Sequence, residues 1–152
     1  MTECEIEMFF EEIRRCRYHI DSLNQLKIQY EMDLFSLKGI RYDKEPVDGG
    51  ILSDVSDIVI EFENKMKKSE EIRINELNRY GDLCGKAFVM IGVINNPRSK
   101  AIMIDRYFMN YSWNKISRKN HYDKSTCYRI RDKSIKEIYE KTNVATKCDF
   151  EK

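Results

Sequence analysis

The chain has 152 residues, of which 41% are hydrophobic and 35% charged, with only two prolines and six glycines. That length suits one domain or two small ones, and that charge content suits long helices with solvated faces. Cys4, Cys16, Cys84, Cys127 and Cys148 are widely scattered with no Cys-x-x-Cys pair, which argues against a disulfide framework or a zinc site and for reduced thiols in the cytosol.

The net charge of +1 conceals an asymmetry. Pro97 to Lys152 carries fourteen Lys and Arg against seven Asp and Glu, whereas Met1 to Asn96 carries thirteen against nineteen. A basic C-terminal third on an acidic body is the electrostatic outline of a nucleic-acid binder. Met1 to Phe10 contains Glu3, Glu5 and Glu7 and no apolar stretch, so a secretory signal is not expected. No apolar run approaches the length of a membrane span.

The first element is predicted from about Glu3 to Lys38. With Ile6 at heptad position a, Ile13, Ile20, Lys27 and Leu34 also fall at a, and Phe9, Cys16, Leu23, Tyr30 and Leu37 at d. A seam this regular calls for a long, coiled-coil-like helix that must bury its stripe against a second helix or a second copy of the chain. Lys27 is the one charge in the seam; snorkelling to the surface is favoured over a register-setting role. Gly39 to Gly50, with Pro46 and Asp48-Gly49-Gly50, reads as a loop. A second helix is expected to start at Ser53 or Asp54, which would cap it. Val55, Val59, Phe62 and Met66 form its first apolar stripe; Ile74, Leu77, Cys84, Phe88 and Ile91 form an offset second one. Gly81, Gly85 and Gly92 leave open a bend or a break near Tyr80. The simplest arrangement folds this helix back on the first as an antiparallel hairpin.

Asn96-Pro97 pairs a good N-cap with a residue suited to the first helical position, and marks the expected domain boundary. Three short helices should follow. The first runs from Pro97 to about Met109, with Ala101, Ile104 and Phe108 on its inner face and Ile102 and Met103 nearby. Ser112 caps the second, from Trp113 to about Asn120, with Trp113, Ile116 and Ser117 inward. After a turn at His121-Tyr122, Asp123 caps the third, from Lys124 to about Tyr139, with Cys127, Ile130, Ser134, Ile135 and Ile138 inward. The tail beyond Glu140 lacks apolar periodicity and is expected to fray.

Small residues at Ser117 and Cys127 on either side of a short turn would let two helices cross closely, the spacing a helix-turn-helix needs to enter a major groove. The protruding face would then carry Lys124, Ser125, Thr126, Tyr128, Arg129, Lys133 and Lys136. Lys124, Ser125, Tyr128 and Arg129 would approach base edges. Lys115, Arg118 and Lys119 on the preceding helix, with Arg131, Lys133 and Lys136, would lie near phosphates. A plain three-helix packing domain with a wet basic face has the same periodicity. Trp113 fits the inner face of its helix, and Arg106 suits a helix-end ion pair as well as a DNA contact.

Arg106-Tyr107 followed by Tyr111-Ser112-Trp113-Asn114-Lys115-Ile116-Ser117 resembles the R-Y-x(n)-S-W-x-x-I-A segment of sigma-factor region four. Asp123 to Ile130 resembles its S-x-x-x-V-x-R-[IL] recognition helix. Ser117, Asn120, His121 and Cys127 stand where that pattern has Ala, Leu, Gly and Val; Asn and His tolerate left-handed backbone better than most residues. The wider layout, including an R-x(n)-I-D-S-L-like stretch at Arg17 to Leu23, resembles small proteins of phages and prophages of Gram-positive bacteria that overlap the ArpU-type transcriptional regulators.

The expectation is thus an all-α fold. Residues 1–95 form a coiled-coil-like helical hairpin for dimerisation or partner binding, residues 96–140 a three-helix region-four-like helix-turn-helix domain, and residues 141–152 a frayed tail. His19 and His121 lack metal-ligand or triad neighbours and no Gly-rich phosphate loop is present, so neither an enzyme nor a cofactor is expected. The resemblance implies a cytoplasmic regulator in a bacterial host, with double-stranded DNA as partner and RNA polymerase and a second copy as further candidates. Nothing matches the part of a sigma factor that melts the −10 element, which favours an activator over a complete sigma factor. A small-terminase-type packaging protein and a protein-only adaptor are the alternatives.

Overall fold

The computed structural model describes residues 1–38 and 51–148, with side chains for residues 1–36 and 57–143. The described residues are all-α: α1 (Glu3–Lys38), α2 (Ile51–Gly92), α3 (Pro97–Tyr107), α4 (Trp113–Asn120) and α5 (Lys124–Cys148). No described helix is long and apolar enough to cross a membrane. The loop expected at Gly39 to Gly50 lies outside the described residues, as does the side chain of Leu37. α2 begins at Ile51, two to three residues before the expected caps, whose side chains also lie outside.

The chain divides into two compact units, one formed by Met1–Tyr18 with Asn78–Lys152 and the other by His19–Leu77. A boundary at Asn96 is therefore not where the structure parts. The reason lies in the first unit's main core. Ile6, Phe10 and Ile13 of α1, Ala87 and Ile91 of α2, Ile94 of the α2–α3 connection, Met103 and Tyr107 of α3 with its C-cap Phe108, and Ile135 and Ile138 of α5 bury one another in a single cluster. Ile6, Phe10 and Ile13 recur at one-turn spacing, so one face of α1 meets its neighbours with all three side chains. Phe10, not the heptad residue Phe9, is the fully buried ring, and it lies 5.1 Å from the Tyr107 ring. The expected inner face of α3 shifts likewise: Ile102, Met103, Asp105 and Tyr107 are buried, whereas Ala101 and Ile104 are only half-buried.

In the second unit, Ile20 and Leu23 are buried. His19 meets Glu76 at 3.5 Å, Lys27 meets Glu70 at 3.7 Å, and Tyr30 stands edge-on to Phe62 at 6.3 Å. Residues advance along α1 as their partners recede along α2, the order of antiparallel neighbours. Lys27 keeps its tip half in solvent and leans on Glu70, which lets a seam position carry a charge without desolvating it.

α5 continues to Cys148, past both the Tyr139 end and the fray point expected at Glu140. Two local bonds and one longer tether hold the first turn beyond Tyr139. Lys141 pairs with Glu137 at 2.7 Å and also donates to the Val93 carbonyl, while the Thr142 hydroxyl donates to Ile138 O at 2.8 Å. An i,i+4 ion pair and a tether to the α2–α3 connection substitute for the missing apolar periodicity.

α2 is continuous through Gly81 and Gly85, and a Cβ at either position would meet nothing within 4 Å. Neither glycine serves close packing, so each retains the entropic cost of glycine in a helix interior. Gly81→Ala and Gly85→Ala should each raise stability by up to about 1 kcal/mol in urea denaturation. A decrease would show that these positions pack against something the fold does not display.

Candidate nucleic-acid interface

α4 and α5 meet at a corner whose construction follows from the side chains of the turn. Ser112 starts α4 by accepting from the Lys115 amide at 3.3 Å. α4 ends where His121 adopts the left-handed conformation, φ 55° and ψ 37°, with its amide donating to Ser117 O. Asn120 adds a bond from its side-chain amide to Ile116 O at 2.9 Å. Ser117 holds the turn from both directions: its carbonyl accepts from the Tyr122 amide at 3.2 Å, and its hydroxyl donates to the Tyr122 carbonyl at 2.6 Å. The hydroxyl thus has a role that an alanine at this position would lack.

Beneath the turn, Ile102, Ile116 and Cys127 form a second, fully buried cluster, flanked by Tyr111, Trp113, Tyr122 and Ile130. A small side chain at Cys127 lets α5 approach α4. Asp123 accepts from the Ser125 hydroxyl, and its carbonyl accepts the Cys127 amide at 3.1 Å, the first bond of α5. Hydrogen bonds from Ser125 first, then Thr126, hold the Asp123 carboxyl down at about 2.

Most of the expected DNA-contacting residues share this surface. Lys124, Ser125, Tyr128, Arg129, Lys133 and Lys136 of α5 are exposed, as are Lys115 and Arg118 of α4. Thr126 is half-buried and accepts from the Arg129 guanidinium at 3.0 Å, one turn away. That bond steadies Arg129 while leaving most of its donors to solvent. Lys115 lies over the Tyr111 ring at 3.5 Å.

Other residues are committed elsewhere. Lys119 reaches back to Asp105, 2.6 Å away, whose carboxylate is only 5% exposed. Its charge offsets a buried anion in α3, and that hydrogen bond raises the Lys119 pKa. Arg131 turns inward, contacting Glu7 of α1 at 2.9 Å and Asp132 at 2.6 Å, so it does not stand among the outward-facing cations. Arg106 takes the ion-pair role, 3.8 Å from Glu11, with its guanidinium over Trp113 at 4.7 Å. Burial pulls its pKa down and Arg14 adds to the effect, with Glu11 opposing. Trp113 is half-buried against the Tyr128 ring, 4.5 Å away, rather than open for stacking on a base.

Glu7, Glu11 and Arg14 recur at one-turn spacing on a face of α1 that the heptad pattern assigns to solvent, and Arg14 also donates to Asn110 at 2.8 Å. Only that carboxylate spacing hinted at a partner, and the partners lie about a hundred positions along the chain. Among the described residues, no three His, Cys, Asp or Glu side chains assemble as a metal site. No protein-family model, curated protein or solved structure matches the chain.

The depressed Asp123 pKa has a signed consequence. A carboxyl lowered from 3.8 to about 2 in the fold contributes stability that is present above the higher value and is lost as pH falls through the lower one. Thermal melts between about pH 4 and pH 2 should therefore show a shallower acid loss in Asp123→Asn than in the wild type. Equal acid slopes would contradict the capping role.

Proposed function

We propose that the chain binds double-stranded DNA with the α4–α5 corner and acts as a transcriptional regulator of phage or prophage type. The supporting observation is the separation of charge across this corner. The inward arginines are matched by carboxylates, while Lys124, Arg129 and Lys133 face outward along α5 with Lys115 and Arg118 beside them; Lys136 is also exposed, 4.0 Å from Glu140. An exposed helix edge of this kind suits a major groove, and the flanking lysines suit phosphates. The sequence resemblance to region four and to ArpU-type regulators points the same way. RNA polymerase and a second copy of the chain are proposed as further partners. A phage regulator would act in the host cytoplasm, where free thiols such as Cys16 and Cys127 persist.

Arg129 is assigned to base reading because it stands near the N-terminal end of α5 with its guanidinium held by Thr126. A duplex selected from a random pool by the full-length protein provides the probe. Arg129→Ala should cost about 1–3 kcal/mol on the selected duplex and little on random DNA. Equal losses on both would remove the base-reading role, and absence of any complex at low salt would remove the DNA-binding proposal itself.

A further inference from the structure

We infer that Arg98, at the start of α3, is an additional DNA-backbone contact on the flank of the α4–α5 corner; this rests on the proposed DNA binding. Arg98 lies at the start of α3, ahead of the α4–α5 pair in sequence, and its guanidinium donates to the Tyr122 hydroxyl at 2.8 Å. Tyr122 is the turn residue immediately before the cap of α5. Its amide and carbonyl are both bonded to Ser117, and its ring flanks the buried Ile102–Ile116–Cys127 cluster. The phenol is therefore a fixed post, and the arginine hung on it has a defined place beside the turn.

The backbone of Arg98 is fixed as well. Asn96 caps α3 by accepting from the Arg98 amide at 2.9 Å, and Pro97 occupies the first turn. With backbone and guanidinium both held, less side-chain entropy remains to be lost on binding.

The charge of Arg98 is uncompensated, which separates it from the arginines that support the fold. Arg79 pairs with Glu12, Arg106 with Glu11, and Arg131 with Glu7 and Asp132. Arg98 is exposed and has no carboxylate partner among the described residues; its one side-chain bond goes to a neutral hydroxyl. A guanidinium has five donors in a planar fork, so those left over match a phosphate oxygen pair. Such a contact adds affinity without sequence preference.

The test is salt dependence, because each phosphate contact releases counterions that a structural role would not. The full-length protein is titrated against a fluorescently labelled random-sequence duplex over a range of salt concentrations. Arg98→Ala should reduce the magnitude of the log–log slope by about 0.9 and weaken binding roughly eightfold near 100 mM salt. Arg98→Lys, which keeps the charge, should keep the wild-type slope, as should Tyr122→Phe. Lys67→Ala, in the His19–Leu77 unit, should leave the slope unchanged. A wild-type slope in Arg98→Ala beside a reduced slope in Arg118→Ala, whose exposed side chain is assigned to a phosphate, overturns this inference and leaves the DNA-binding proposal standing. A reduced slope in Arg98→Lys, or in Lys67→Ala to the same extent, also overturns it. Failure of the wild type to bind the duplex at low salt overturns both.

Discussion

The first half of α1 is the element on which the C-terminal helices depend. Ile6, Phe10 and Ile13 are wholly buried against side chains from α2, α3 and α5. α3, α4 and α5 have a small cluster of their own in Ile102, Ile116 and Cys127. The larger buried residues Tyr107, Ile135 and Ile138 belong instead to the core that α1 completes. Burying a side chain of this size is worth about 1.5–3 kcal/mol, and a domain's net stability is only about 5–15 kcal/mol. Removing one whole apolar face would therefore consume most of the margin. The corner that carries the proposed function is a surface of a unit assembled from both ends of the described chain.

Polar contacts follow the same division. Glu7 and Glu11 hold Arg131 and Arg106, which flank Trp113, and Trp113 in turn packs on Tyr128 of α5. A path of ion pairs, cation–π contacts and ring packing thus links α1 to the outer edge of α5. Partly buried charges of this kind add little net stability, yet removing one partner leaves the other unmatched. Their value here is orientation: α5 cannot rotate about its axis without breaking the contact between Arg131 and Glu7. The rotational setting of α5 decides which residues face outward, so positioning the corner and exposing Lys124 and Arg129 are parts of one constraint.

Much of this was legible from local signals. The bounds of α1 and α4 and the starts of α3 and α5 follow from Asn96-Pro97, Ser112, Asp123 and the apolar spacing, because a cap bonds to amides two or three residues away. His121 adopts the left-handed conformation that the residue type tolerates. The exposed edge of α5 also follows from helical periodicity once Cys127, Ser134, Ile135 and Ile138 are placed inward. Beyond the reach of local pattern were the burial of Asp105, the inward turn of Arg131 and the use of Lys119 to neutralise Asp105.

By itself, the sequence determined that the chain would be helical, where most of its short helices would start, and which side chains could be cationic and outward. Each of these rests on interactions within a few residues or on the 3.6-residue repeat. Only the tertiary structure decided which charges would be free. Whether Arg131 meets Glu7 or solvent depends on a helix more than a hundred residues away, and whether the chain parts at Asn96 depends on which faces α1 covers. Desolvation and charge pairing are properties of neighbours in space, and those neighbours exist only once α1, α3 and α5 have closed on a common core.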